Sequence, residues 1–210
     1  MQGNLNNIYY LSLLVTFILS LFLRFKRKKR EQEFIYIYLF ITIINDVIIS
    51  KTQLISQNIS IFVYTLLSTG YFFSIYYGKF KIKFIKYLIL VVTAAFIVFG
   101  FVNQFKIGFQ ILNINFLFGL AVFYIILTLC WFFQRIIDAN NRKISRDFIF
   151  WLSCAMLLWG CFFIFRIIPT YLFDSRDPSF LIIIQNIFTG INILTYWIVF
   201  YGLIKTVIKS

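Results

Sequence analysis

Seven runs of apolar residues, each close to the length that crosses a bilayer, decide what this chain can fold into. They occupy 8–23, 34–50, 59–77, 84–102, 114–133, 148–168 and 180–204, against the ~20 residues that a transmembrane helix needs. No Pro- or Gly-rich linker separates them: Pro occurs only at Pro169 and Pro178. With 61% of residues hydrophobic, 22% aromatic and 13% charged, the chain has too little polar surface to face water on all sides; soluble domains carry about 25% charged residues. The runs are rich in Ile, Phe and Leu, and in water such β-branched stretches could be strands. At this length and without alternation helix is the better reading, because a sheet edge in lipid would leave backbone groups unpaired. The expected fold is therefore all-α, a polytopic membrane protein made of one seven-helix transmembrane domain spanning residues 1–210.

Charge gives this bundle a direction. No cation precedes the first run, and Arg24, Lys26, Arg27, Lys28, Lys29 and Arg30 follow it directly. A secretory signal has the opposite order, with cations in front and a small-residue cleavage site behind. The first helix is thus expected to remain, N-terminus outside and C-terminus cytoplasmic, with these six residues determining topology. Threading the other runs back and forth places sixteen Lys and Arg inside and four outside (Lys51, Lys106, Arg166 and Arg176). That asymmetry, alternating loop by loop, is the positive-inside pattern. It also explains the net charge of +13 without nucleic acid, whose binders gather their cations on one folded face. The expected partners are the lipid bilayer and another membrane protein, and the expected location is the cytoplasmic (inner) membrane. Usage rich in Ile, Phe, Lys and Asn points to an AT-rich, bacterial genome.

Several chemistries are disfavoured. The chain contains no His, which removes the commonest general base and metal ligand. Cys130, Cys154 and Cys161 lie inside apolar runs without a C-x-x-C spacing and read as packing residues. No H-E-x-x-H, G-x-S-x-G or Walker loop occurs. No catalytic residue, cofactor or metal site is expected, and the balance leans away from an enzyme.

Polar groups within the apolar runs are few, and ionisable ones are functional hypotheses by default. Asp46 lies in the second run beside Asn45, and Arg166 lies near the outer end of the sixth. Tyr38, Thr42 and Asn45 share a helical stripe, with Asp46 at its edge. Tyr64, Ser68 and Tyr71 form a second stripe, and Gln185, Thr189, Asn192 and Tyr196 a third. At ~1.5 Å per residue, Asp46 lies roughly 7 Å, Arg166 roughly 4 Å and Gln185 roughly 9 Å inside the outer boundary. Asn45, Asp46, Tyr64, Ser68, Arg166, Gln185, Thr189 and Asn192 would thus form an outer polar layer, with Asp46 and Arg166 coupled. Two readings stand: a pocket for a ligand or partner, or interhelical hydrogen bonds plus an Arg that snorkels to the interface. The stretch from Pro169 to Pro178 is the longest outer connection and reads as a solvated loop.

The segments Ile44-Asn45-Asp46-Val47-Ile48, Phe62-Val63-Tyr64-Thr65-Leu66-Leu67-Ser68 and Ile184-Gln185-Asn186-Ile187-Phe188 resemble small uncharacterised seven-helix bacterial membrane proteins, whose relatives serve as membrane input modules of sensor kinases. The likeness covers three of the seven runs. It departs at Ser68, where such proteins would carry a carboxylate nearby, and at Gln185, where a His would be expected. The resemblance implies a sensory or accessory role. The expected function is a non-enzymatic sensory or ligand-binding module, or an accessory subunit of a membrane complex. The alternative is a small transporter or a lipid-modifying enzyme using Asp46.

Overall fold

A computed structural model of the protein describes residues 2–27, 32, 34–49, 56–138, 144–172 and 177–207. Among them every regular element is helical. In chain order these are α1 (Gln2–Arg27), α2 (Ile35–Ile43) running directly into a π-helix (Ile44–Ile49), α3 (Gln57–Lys79), α4 (Lys83–Ile107), α5 (Ile114–Ile137), a 3₁₀ turn (Ile144–Arg146), α6 (Phe148–Leu172) and α7 (Pro178–Val207). Each apolar run of the sequence coincides with one of these helices. Six are long and apolar enough to cross a bilayer, which makes this a multi-pass membrane protein. The second is the exception. Its apolar part covers Ile35–Val47, and at ~1.5 Å per residue it is shorter than a ~30 Å hydrocarbon core.

The chain forms two compact units, Met1–Leu39 with Arg142–Ser210, and Phe40–Asn141. In the first, α6 and α7 run antiparallel. Trp151 meets Tyr201 at one end of the pair (ring centroids 4.7 Å apart), and Phe163 meets Phe188 at the other (5.5 Å). Gly202 lets the helices close up, since a Cβ there would stand 2.6 Å from Trp151 Cβ. α1 packs on α7. Ser12, Thr16 and Ser20, one turn apart on α1, are all buried. Each hydroxyl donates to a carbonyl of its own helix, on Ile8, Ser12 and Phe17 respectively. The stripe is thus satisfied internally and acts as a strip of small residues that admits a neighbour. Thr16 Oγ1 also lies 3.5 Å from the Tyr196 carbonyl of α7.

Two termini in this unit have legible causes. α6 continues through Pro169 to Leu172, so the helix outlasts the proline expected to end it. A proline so near the C-terminus removes one backbone bond from the last turns only. At the start of α7, Pro178 takes the first helical position, where its missing N–H is no loss. Asp177 Oδ1 accepts from the Ser179 hydroxyl and from the Ser179 (3.1 Å) and Phe180 (3.2 Å) N–H groups. Asp177, expected in a solvated loop, is therefore an N-cap. Those bonds, the Ser179 hydroxyl first, hold its carboxyl below the usual carboxylate range.

In the second unit α3 and α5 run parallel, with α4 antiparallel to both. Phe62 meets Phe116 (5.4 Å) and Phe72 meets Tyr124 (4.9 Å) along the α3–α5 seam. Phe96 of α4 stacks on Phe116 (4.8 Å) and Phe123 (5.5 Å) of α5. Glycines on both sides make room for these rings: a Cβ on Gly100 would lie 2.2 Å from the Phe116 ring, and one on Gly119 2.8 Å from Phe96. α4 ends at Gly108, whose φ of 79° and ψ of 155° belong to a region open essentially to glycine. Much of α4 is covered by no neighbour in its own unit: Val98, Phe99 and Phe105 are exposed, as lipid-facing residues are.

One buried amide joins the ends of three helices. Gln134, near the C-terminus of α5, is 2% exposed. Its Nε2 donates to the Lys79 carbonyl (3.1 Å), where α3 ends, and its Oε1 accepts from the N–H groups of Lys81 (2.7 Å) and Ile82 (3.4 Å), where α4 begins. At this end of the unit stand Lys79, Lys81, Lys83, Lys86 and Arg135. At the opposite end, where Asn58 Nδ2 donates to the Gln110 carbonyl, Lys106 is the one cation among the described residues.

Candidate functional site

The strongest constellation lies in the second unit, where α2 gives way to the π-helix. π-helices are rare and frequently mark functional sites, and here the sequence explains the change of winding. Asn45 and Asp46 follow a β-branched Ile-Thr-Ile-Ile run. Such residues crowd an α-helix, and short polar side chains compete for backbone partners. The side chains turn sideways instead of back on the helix. Asn45 Nδ2 donates to Asp46 Oδ1 (2.7 Å), and Ser60 Oγ of α3 donates to Asn45 Oδ1 (2.7 Å). One turn away, the hydroxyls of Thr42 and Tyr64 approach to 3.5 Å. The result is a relay Ser60–Asn45–Asp46 with Thr42 and Tyr64 beside it.

This arrangement lets a carboxylate sit in an apolar segment. An unpaired charge there is costly, and hydrogen bonds to it reduce the cost. Asn45 is oriented at both ends: Ser60 fixes its carbonyl oxygen, so its NH₂ must face Asp46. Asp46 can accept further hydrogen bonds, hold a cationic group, or take and return a proton. Half-burial of Asn45, Asp46 and Tyr64 leaves the node reachable.

Ser68, expected in the same layer, is fully buried and donates to the Thr65 carbonyl of its own helix (3.1 Å). The other four residues of the expected layer lie in the first unit. Arg166 of α6 places its guanidinium 4.8 Å from the centroid of the buried Phe188 ring of α7, a cation–π contact. Gln185 is exposed, Thr189 and Asn192 are half-buried, and Thr189 Oγ1 donates to the Gln185 carbonyl (2.9 Å). Asp46 and Arg166 thus belong to different units, each with surroundings of its own. Of the cations expected to determine topology, Arg24 stands 4.4 Å from the centroid of the Phe34 ring. Phe34 itself holds a left-handed φ of 54° just before α2. Lys26 and Arg27 close α1, while Lys28, Lys29 and Arg30 lie outside the described residues.

Other polar positions escaped the reading of the sequence. Gln134 is one. At the head of the second unit, Asn58, Thr65, Gln104 and Asn113 line a small cleft of about 10 Å³, room for roughly one water and far below the ~300–1,000 Å³ of drug-sized ligand sites. Asn113 caps α5 through its Oδ1, which accepts from the Phe116 N–H (3.0 Å), while its buried Nδ2 has no partner among the described residues. The Oδ1 of Asn186 on α7 is buried in the same condition. Neither side chain has a helical stripe to reveal it.

No protein family, curated protein or solved structure was found to match the chain.

Proposed function

We propose that the protein is a non-enzymatic membrane module whose π-helix node recognises a ligand or a partner helix within the bilayer, as a sensor or as an accessory subunit of a membrane complex. The observation carrying this reading is the Ser60–Asn45–Asp46 relay. It orients a single half-buried carboxylate on a segment wound differently from every other helix described. The proposed setting is the cytoplasmic membrane, N-terminus outside and C-terminus inside, with the node in the outer half. The decisive comparison is between native protein and Asp46→Asn after gentle extraction. The native protein is expected to retain a stoichiometric protein or small molecule, and the variant to lose it while keeping its thermal stability. Equal retention by both would remove the node from recognition.

A second reading, transport using Asp46, draws on one feature. α2 is short and changes winding at a carboxylate, as discontinuous helices do at ion and substrate sites of transporters. Substrate-dependent flux in reconstituted vesicles, abolished by Asp46→Asn, would establish it in place of the first.

A further inference from the structure

The turn between α3 and α4 has a use that the node does not account for. From Lys79 to Lys83, cations alternate with apolar residues. Phe80 is 1% exposed and Ile82 half-buried, whereas Lys79, Lys81 and Lys83 are exposed. The cause is backbone geometry. Phe80 (φ −72°, ψ 130°) and Ile82 (φ −74°, ψ 118°) are extended, and an extended chain sends successive side chains to opposite sides. Gln134 locks that conformation from within, binding the Lys79 carbonyl and the Lys81 and Ile82 N–H groups. Lys81 is therefore held outward between two inward side chains, flanked by the exposed Lys79 and Lys83 at the adjoining ends of α3 and α4. Lys86, one turn into α4, joins them, its Nζ 5.4 Å from the centroid of the Tyr77 ring. The nearest acidic group described, Asp138, offsets one of them through Lys81 Nζ (2.5 Å). That bond is the first cause holding the Asp138 carboxyl below its usual range. Counted over the described residues of the strip, four lysines outnumber this one carboxylate.

Its surroundings specify the ligand. Phe84 (73% exposed) and Tyr87 (70%) on α4, and Phe133 and Ile136 (74%) on α5, present large apolar surface beside the cations. A molecule meeting both surfaces needs an anionic head and an apolar tail. We infer that the α3–α4 turn is a binding site for an anionic phospholipid, with the headgroup phosphate on Lys79, Lys83 and Lys86 and the acyl chains along Phe84, Tyr87 and Ile136. Juxtamembrane cations favour anionic lipid surfaces by about fivefold each. The Gln134 clamp adds to this a fixed spacing, so one lipid should be held in preference to a diffuse layer.

The full-length protein in mixed micelles containing equal phosphatidylglycerol and phosphatidylcholine, examined by native mass spectrometry, tests this. Native protein should retain phosphatidylglycerol at least ~10-fold in preference, with one lipid per chain surviving delipidation. Lys79→Gln/Lys83→Gln/Lys86→Gln, checked for an unchanged melting temperature, should bring the preference close to parity. Gln134→Met keeps every lysine but removes the clamp, and should lose the tightly held lipid. Unchanged preference in the triple variant would overturn the site. Unchanged retention in Gln134→Met, with its melting temperature lowered to show that the clamp has gone, would overturn the preorganised strip. Displacement by an equimolar acidic soluble peptide would overturn the assignment to a lipid. The readout is independent of Asp46, so its outcome leaves the proposed recognition function to its own test.

Discussion

At the scale of single residues, the packing of the second unit rests on glycines that no polar pattern discloses. A methyl group on Gly100 would lie 2.2 Å from the Phe116 ring, and Phe116 is itself 1% exposed. Gly100→Ala is therefore expected to destabilise the protein by about 1–3 kcal/mol through overpacking, read as a lowered melting temperature in detergent. Adding Phe116→Leu should restore part of the loss, whereas Phe116→Leu alone should also destabilise by leaving a void. No rescue in the double variant would mean that the helices separate instead of the ring yielding. The same scale shows what the sequence could and could not disclose. Spacing placed Thr42, Asn45 and Tyr64 on stripes, and the structure brings those stripes together. Spacing could not tell that the Ser68 hydroxyl turns back on its own helix, because both uses of a hydroxyl need the same periodicity. Gln134 shows no signal in the spacing, since its partners are backbone groups more than fifty positions away.

At the scale of elements, the apolar runs and the helices agree, and the differences lie at the ends. The apolar criterion stops where hydrophobicity stops, but helices continue until their backbone bonds can no longer be made. α1 thus reaches Arg27 and α6 passes Pro169. α2 differs in kind: nothing in its hydrophobicity distinguishes α winding from π winding, and only the Asn45-Asp46 pair hints at it. The cap of α7 offers a test with a definite sign. The folded-state carboxyl of Asp177 is held low by the Ser179 hydroxyl and the Phe180 and Ser179 N–H groups. The cap's contribution is therefore complete above the unfolded carboxylate value and disappears as pH falls through the lower folded value. Asp177→Ala should speed hydrogen exchange at Ser179 and Phe180 near neutral pH, while native and variant rates should converge on acidification below the usual carboxylate range. Identical exchange at pH 7 would show that Pro178 alone starts the helix.

For the whole molecule, the proposed direction rests on charge. The end of the second unit where α3, α4 and α5 meet at Gln134 carries five cations among the described residues, against Lys106 at the other end. That asymmetry is the ground for the proposed orientation, which sets this end at the cytoplasmic face. A reporter fused after Ser210 is expected to read as cytoplasmic, and a cysteine introduced at Ser175 to label from outside intact cells. Replacing all six cations from Arg24 to Arg30 by Gln should yield mixed orientations. Labelling of Ser175→Cys only in broken cells would reverse the arrangement.

Gln134 also imposes an order of assembly. The N–H group of Lys81 waits for an acceptor 53 residues further along the chain. At ~5–20 residues per second, roughly 3 to 10 seconds of synthesis separate the α3–α4 hairpin from the amide that closes it. In that interval the turn must keep to the aqueous face, where water serves its backbone, and it cannot sink into hydrocarbon. The arrival of α5 then seals it, so the three helices become a unit only when the third has been delivered. A ribosome stalled before Gln134 would leave a hairpin whose turn remains open to protease, and one stalled well after it a hairpin whose turn is closed.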